Sequence, residues 1–143
     1  MPADAKKIAQ FCDLLTNNKA IKDFPGAENG LQHKGRAQVR KVGCAVDAGA
    51  KVFEMAAKRG IDFLIVHHGM RWPTVSPLRE VRKLRVDTLK RTGLSLYSSH
   101  LPLDAHPAIG NNALIAADLG LRVVDWFVDF EGLPIACICQ GIP

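Results

Sequence analysis

Several features that would assign a function class at once are missing from this 143-residue chain. No run approaches the roughly 20 apolar residues that a membrane-spanning helix needs, and the first residues lack the apolar core of a secretory signal. Neither a P-loop nor a dinucleotide-binding glycine fingerprint occurs, and no serine follows the strand-to-helix nucleophile elbow pattern. We therefore expect a cytoplasmic protein that has neither a glycine-rich phosphate-binding loop nor a serine nucleophile of this type.

Cysteine is scarce and is not arranged for zinc, because no two of the four residues have the two-residue gap of a zinc knuckle. Cys12 lies on the apolar face of a predicted helix and Cys44 lies inside a predicted strand, so we interpret both as buried thiols. Cys137 and Cys139 should share one face of a predicted strand. This pair suits a soft metal or a redox couple, but buried thiols are the simpler interpretation.

The net charge of +5 is concentrated in one segment, between Pro77 and Gly93. Its cations are Arg79, Arg82, Lys83, Arg85, Lys90 and Arg91. The residues that have helical spacing for packing against a sheet are Leu78, Val81, Leu84, Thr88 and Leu89. We interpret the basic residues as the solvated outer face of a helix. Contact with nucleic acid or with an anionic substrate is the alternative.

Hydrophobic periodicity predicts a single α/β domain over residues 1–143, a length that can bury a core. Two helices are predicted at 4–17 and 49–59. A third is predicted to begin with an N-cap at Ser76 and Pro77 in its first turn, and to end at Gly93. A fourth is predicted to begin with Asn111 or Asn112 as its cap and to end at Gly120. Strands are predicted at an edge, 31–33, and in the core at 39–46, 61–66 and 94–97. This order predicts a largely parallel sheet with right-handed crossovers.

The last part of the chain has a different pattern. Two β-prone runs, at 123–130 and 133–139, flank Glu131-Gly132 and predict a hairpin. The sequence stops soon after the second run without a closing helix, so we expect a further segment beyond Pro143.

Two adjacent histidines follow the buried strand at 61–66 and carry the strongest functional signal. His67 and His68 precede Gly69, and a strand that ends in this way delivers its imidazoles to the carboxyl edge of a sheet, where open α/β folds build their sites. Because neighbours in a straight strand face opposite sides of the sheet, both rings reach one site only if the chain leaves the strand here. The alternative is that each histidine binds one ion of a metal pair.

The next core strand supplies the partners, because His100 and Asp104 lie in the loop after residues 94–97. The carboxyl ends of adjacent parallel strands are about 5 Å apart, which brings these residues within joint reach of an ion. Two imidazoles with a carboxylate suit zinc, iron, manganese, cobalt or nickel much better than calcium or magnesium. The pattern therefore predicts a divalent metal site.

Other polar residues fit this site less well. Asp47 also follows a core strand, but we favour a role as the cap of the next helix. Asp62 lies at the start of a strand, away from the carboxyl end at which the site is expected. The remaining two histidines, His33 and His106, have no other candidate ligand near them in the predicted fold. Arg71 and Trp72 could line the mouth of a pocket, where Arg71 would contact an anion and Trp72 would provide a stacking face. The alternative is that Arg71 is an exposed charge and Trp72 anchors the loop.

Three runs of the sequence carry a family resemblance: Asn29-Gly30-Leu31-Gln32, Val66-His67-His68-Gly69, and His100 to Pro107 followed by Gly110-Asn111-Asn112. In this order they resemble the Nif-three-like family, whose bacterial members are labelled GTP cyclohydrolase type-2-like, over essentially the whole chain. The resemblance implies one α-β-(βα)3 unit around a mixed, mostly parallel four-stranded sheet, to which the C-terminal hairpin is added here. It also implies that this unit is the first of two structural copies, and that the protein assembles as a ring-like hexamer.

The resemblance further implies a cleft that binds two divalent metals, with His67, His68 and Asp104 at the matching ligand positions. His100 matches a recurrent family histidine, so it is a candidate catalytic residue or a residue that orients a ligand. The family completes its metal pair with a His-x-x-x-Glu segment near the C-terminus, and these 143 residues contain none. We therefore expect two ions only where another chain or segment completes the site.

These observations favour a metal-dependent hydrolase of nucleotide-like or cyclic amide-like substrates. The ion would lower the pKa of bound water toward about 7, and His100 would move a proton. The alternative is a non-enzymatic binding or scaffold protein with an incomplete metal site, in which the basic helix contacts a partner. We expect a homo-oligomer that acts on a small molecule and has no membrane partner.

Overall fold

A mixed four-stranded sheet with helices on both faces forms the centre of the computed structural model, which describes residues 1–71 and 79–141. In chain order the elements are β1 (Ala3–Asp4), α1 (Ala5–Leu15), β2 (Gly30–His33), β3 (Gln38–Val39), β4 (Val42–Asp47), α2 (Ala50–Lys58), β5 (Phe63–His68), α3 (Arg79–Thr92), β6 (Ser95–Ser98), α4 (Leu101–Asp104), α5 (Asn111–Asp118), β7 (Leu121–Phe130) and β8 (Leu133–Gly141). Within these ranges, no helix has the length and apolar character needed to cross a bilayer.

The sheet has the strand order β2-β6-β5-β4. Strands β4, β5 and β6 run parallel, and β2 pairs antiparallel with β6 at the edge. The predicted α-β-(βα)3 unit with a mixed, mostly parallel sheet is therefore confirmed. The predicted strand at 39–46 is two strands, because residues 40–41 separate β3, which pairs with β1, from β4 in the main sheet.

Amphipathic helices, which the sequence pattern predicts, cover both faces of the sheet. Helix α1 starts at Asp4, whose Oδ1 accepts hydrogen bonds from the backbone nitrogens of Lys6 (2.8 Å) and Lys7 (3.2 Å). It packs on one face, against Phe63 and Tyr97. The buried residues of the opposite core, to which α2 and α3 contribute, are Ala48, Phe53, Ala56, Leu64, Val66, Leu89, Leu94 and Leu96.

A buried tyrosine joins α1 to the end of β6. The Tyr97 hydroxyl donates to Asp13 Oδ1 (2.8 Å) and accepts from Asn18 Nδ2 (2.6 Å). Burial, together with the Asp13 carboxylate, raises the pKa of this phenol far above its ordinary value. Asn18 Oδ1 also accepts from Ser99 Oγ (3.3 Å), so the network fixes the backbone where β6 ends.

Two packing predictions for individual residues are wrong. Cys44 is exposed because it lies on β4, the edge strand; its neighbours on the same face, Val42 and Val46, are exposed as well. In α3, Thr88 and Leu89 are buried as expected, but Val81 and Leu84 are exposed. The predicted helix start lies outside the described residues, at Ser76, Pro77 and Leu78, as does Trp72.

The C-terminal hairpin is confirmed, with β7 and β8 paired from Leu121 and Gly141 to Phe130 and Leu133. Its turn residues, Glu131 and Gly132, have φ values of 53° and 83°. Positive φ at both central residues matches the twist of a two-residue hairpin.

The same hairpin brings Cys137 and Cys139 together. Their Sγ atoms are 3.6 Å apart, so the prediction that they share one face of a strand is confirmed. Within residues 1–71 and 79–141, they do not belong to a group of three possible metal ligands.

Candidate metal centre

Three imidazoles meet at the carboxyl edge of the parallel strands. His67 and His68 end β5, and His100 lies two residues beyond β6, the neighbouring strand. One ring nitrogen from each histidine lies within 4.8 Å of the other two. The ring centroids are 4.7 Å apart for His67 and His68, 4.7 Å for His67 and His100, and 5.5 Å for His68 and His100. This spacing suits one small cation held by nitrogen ligands.

The two adjacent histidines reach this point without leaving the strand, which corrects the expected strand end at residue 66. His68 is still paired with Asp47 of β4, whereas pairing between β5 and β6 stops at Val66 and Ser98. On the β6 side, His67 is held instead by Ser98 Oγ, which donates to the His67 carbonyl at 3.2 Å. The rings of His67 and His68 converge at an interplanar angle of 47°.

Each imidazole has its Nδ1 atom against an oxygen. His67 Nδ1 lies 3.1 Å from the Ser99 carbonyl, His68 Nδ1 lies 2.8 Å from Asp47 Oδ1, and His100 Nδ1 lies 2.9 Å from Asp23 Oδ1. A carbonyl or an ionised carboxylate only accepts, so Nδ1 carries the proton in all three rings. The lone pair of each neutral ring is then on Nε2, which is how metal-binding histidines are oriented in proteins.

Asp23 is the buried carboxylate among these acceptors, since its side chain is 4% exposed and that of Asp47 is 72% exposed. Burial alone would raise its pKa, but hydrogen bonds from His100, Asn29 and the Phe24 amide hold the pKa at about 2. Its Oδ2 atom also accepts from the Leu101 backbone nitrogen at 3.1 Å. Asp23 therefore stays ionised at neutral pH and fixes both the ring of His100 and the start of α4.

A carboxylate lies beside one imidazole of the cluster. Asp104 Oδ2 lies 3.5 Å from His67 Nε2, and Asn111 Nδ2 donates to Asp104 Oδ1 at 2.5 Å. Asp104 ends α4, a single turn inside the segment that the sequence predicted as a loop. The structure thus brings His100 to both histidines of β5 and brings Asp104 to His67.

Burial lowers the pKa of His67 below its ordinary value, and the nearby rings of His100 and His68 act in the same direction, although Asp104 opposes them. His67 is therefore mostly neutral at pH 7. A neutral imidazole is the form that binds metal.

Two cap predictions are wrong, and two of the residues concerned, Asp47 and Asn111, contact the site instead. Helix α2 is capped by Gly49, so Asp47 stays in β4 and faces His68 across the ladder. Helix α5 is capped by Gly110, where a Cβ atom would collide with backbone oxygens of the preceding turn. The Asn111 amide donates to Asp104, and Asn112 donates to the Ile135 carbonyl of the hairpin at 2.9 Å.

The remaining candidates lie outside the cluster. Asp62 accepts from the backbone nitrogens of Arg40 and Lys41, which is a structural role. His106 Nδ1 accepts from two backbone nitrogens of its own turn. Arg71 forms an ion pair with Glu28.

Sequence reasoning missed Asp23 and Asn29, which lie in a stretch dense in turn formers. Asn29 Oδ1 accepts from the His100 backbone nitrogen at 2.7 Å. The resemblance included Asn29 but gave it no role, and no local pattern connects Asp23 with a histidine 77 residues away.

Asp23→Asn should destabilise the metal-free protein by about 2 kcal/mol at pH 7, since the pKa falls from 3.8 to about 2 on folding and each unit is worth about 1.4 kcal/mol. Because the pKa of Asp23 is lower in the folded protein than in the unfolded chain, its carboxylate stabilises the folded state fully above pH 3.8. This stabilisation is lost as the pH falls toward 2. Urea unfolding of both proteins with a chelator, across this pH range, measures the difference. The exposed control Asp118→Asn should change stability by less than about 0.5 kcal/mol; a pH-independent effect of Asp23→Asn would contradict the assignment.

Comparison with known proteins identifies the family. Residues 3–138 match the family model described as Duf34/NIF3 (NGG1p interacting factor 3). A protein of Archaeoglobus fulgidus named GTP cyclohydrolase 1 type 2 homolog is 38% identical over 129 residues, which are 90% of this chain and 52% of that protein. A Salmonella typhimurium protein of the same name is 44% identical over 118 residues, or 82% and 47% of the two chains.

Solved structures agree. The crystal structure of TTHA1606 from Thermus thermophilus superposes with a TM-score of 0.78 at 40% identity, covering 92% of this chain and 53% of that one. The chain spans about half the length of the curated relatives it matches. With its family model, relatives and fold in agreement, the chain belongs to the DUF34/NIF3 family.

Proposed function

We propose that this chain carries the divalent-metal centre of a cytoplasmic metal-dependent hydrolase. His67, His68 and Asp104 would hold the ion, as the sequence predicts, and His100 would add a third imidazole. The observation that supports this most is the set of three Nδ1 atoms held by oxygen acceptors, which gives all three rings the tautomer of metal ligands.

The donor set fits the group. Three imidazoles beside a carboxylate suit zinc, iron, manganese or nickel, and lack the oxygen-rich surroundings of calcium and magnesium sites. When bound, such an ion lowers the pKa of its water toward about 7 and so supplies a nucleophile at neutral pH. A second ion would need further ligands, and its binding stays a prediction, as does assembly into a hexameric ring.

The residues of the chain have distinct tasks in this proposal. Asp23, Asp47 and the Ser99 carbonyl orient the imidazoles, and Asn111 orients Asp104. The proton-transfer role that the sequence predicts for His100 stays a prediction, because its position among the three nitrogens also suits a ligand.

The curated relatives are named GTP cyclohydrolase 1 type 2 homolog, so we propose a purine nucleotide or a similar cyclic amide-like compound as substrate.

Protein prepared without a histidine tag or added metal should contain zinc, iron, manganese or nickel, measured by elemental analysis. His68→Ala and His100→Ala should each lower the metal content at least tenfold, because each removes a ligand. Loss of a residue that only hydrogen-bonds to a ligand already lowers metal affinity by about 10–100-fold. His33→Ala removes a histidine outside the cluster and should leave the metal content unchanged. Trace metal that His68→Ala does not alter would refute the metal centre.

Hydrolysis is tested with GTP as the probe, on the metal-loaded 143-residue protein and on any longer natural form of it. Loss of GTP, followed by chromatography, should require the metal and should fall at least a hundredfold in Asp104→Asn, by loss of an anionic ligand. Full metal loading without GTP turnover in either form would instead favour the binding or scaffold function.

A further inference from the structure

A small cationic cavity lies beside the metal centre, between β2, the residues that follow β5, and α3. It has a volume of about 130 Å3. The side chains that matter here are those of Gln32, His33, Arg71, Arg82 and Arg85. Three of the five carry a permanent positive charge, because the guanidinium group stays protonated in proteins.

The ion pairs of α3 leave the arginines of this cavity uncompensated. Only Lys83 and Arg91 among the described cations of α3 pair with carboxylates, Lys83 with Asp87 (2.7 Å) and Arg91 with Glu54 (3.0 Å), and both lie outside the cavity. Over residues 1–71 and 79–141, the ion pairs do not include Arg82 or Arg85.

The other contributors leave the cavity positive. Arg71 forms an ion pair with Glu28, which compensates its charge. Burial lowers the pKa of His33, and the charge of Lys90 acts in the same direction. Neutral His33 is then a hydrogen-bonding group at pH 7, and two uncompensated guanidinium groups remain.

The cavity and the metal centre are joined by short, well-fixed segments. Arg71 lies three residues after His68, which limits the distance between their Cα atoms to about 11 Å. Gln32 Oε1 accepts from the Met70 backbone nitrogen at 2.7 Å, so β2 fixes the start of this loop. Glu28, the partner of Arg71, precedes Asn29, which holds the backbone of His100.

We propose that this cavity binds a phosphoryl group of the small-molecule substrate whose reacting part lies at the histidine cluster. The proposal rests on the proposed function and narrows the substrate to a phosphorylated compound. Guanidinium groups suit this ligand because they donate two parallel hydrogen bonds to phosphate oxygens. The cavity is smaller than the roughly 300–1,000 Å3 of pockets that enclose a whole ligand, so it suits a single anionic group.

Inorganic phosphate is the probe that tests the cavity, with metal-free, chelator-treated protein and titration calorimetry at low salt. Arg82→Gln and Arg85→Gln should each weaken phosphate binding at least fivefold, and the double variant at least twentyfold. Arg79→Gln removes the same charge from α3 without touching the cavity and should change binding less than twofold. Circular dichroism should show unchanged folding in all variants.

Equal losses in Arg79→Gln and Arg85→Gln would overturn the proposal, because the helix would then attract anions only through its overall charge. Tighter binding of a single-stranded oligonucleotide than of phosphate, with equal sensitivity to all three arginines, would overturn it in favour of nucleic acid. Since the titration needs no metal, loss of phosphate binding is distinguishable from failure of the metal centre. Arg85→Lys, which keeps the charge but loses the two-pronged donor, should recover only part of the affinity.

Discussion

The parallel pairing of β5 with β6 is the constraint on which the site depends. It is in register from Phe63 and Ser95 to Val66 and Ser98, and it ends where the two strands deliver their histidines. Because the strands run in the same direction, the residues beyond both ends lie on one edge of the sheet. The apolar core on the two faces, with Phe63 on one side and Leu64 on the other, makes that register rigid.

The hydrogen bonds to Nδ1 convert this proximity into a chemically defined site. Proximity alone would leave three histidines free to share protons among themselves. The Ser99 carbonyl and the carboxylates of Asp47 and Asp23 set one tautomer for all three rings. These acceptors come from β4, from the end of β6 and from the segment after α1, so the geometry of the histidine cluster depends on the folding of the whole domain.

Much of the fold was predictable because local patterns determine it. The apolar run at 61–66, the helical pattern at 49–59 and the turn at Glu131-Gly132 each predict an element that the structure contains. The sequence predicts that His67, His68, His100 and Asp104 lie at one edge of the sheet, because the ends of parallel strands meet there. The structure brings ring nitrogens of the three histidines within 4.8 Å of one another and Asp104 within 3.5 Å of His67.

The predictions that failed concern contacts between distant segments. Cys44 was expected to be buried because strand propensity does not reveal which strand is at the edge. Asp47 was assigned to a helix cap that Gly49 occupies, and Asp23 gave no signal because its partner is 77 residues away.

X-ray absorption spectroscopy of the zinc-loaded protein tests the central claim most directly, because it reports the atoms bound to the ion. The histidine cluster predicts only nitrogen and oxygen neighbours at about 2.0–2.2 Å, with the outer scattering of three imidazole rings. Sulfur neighbours at about 2.3 Å would show that Cys137 and Cys139 hold the ion instead. That result would contradict the assignment of the metal centre to His67, His68 and His100.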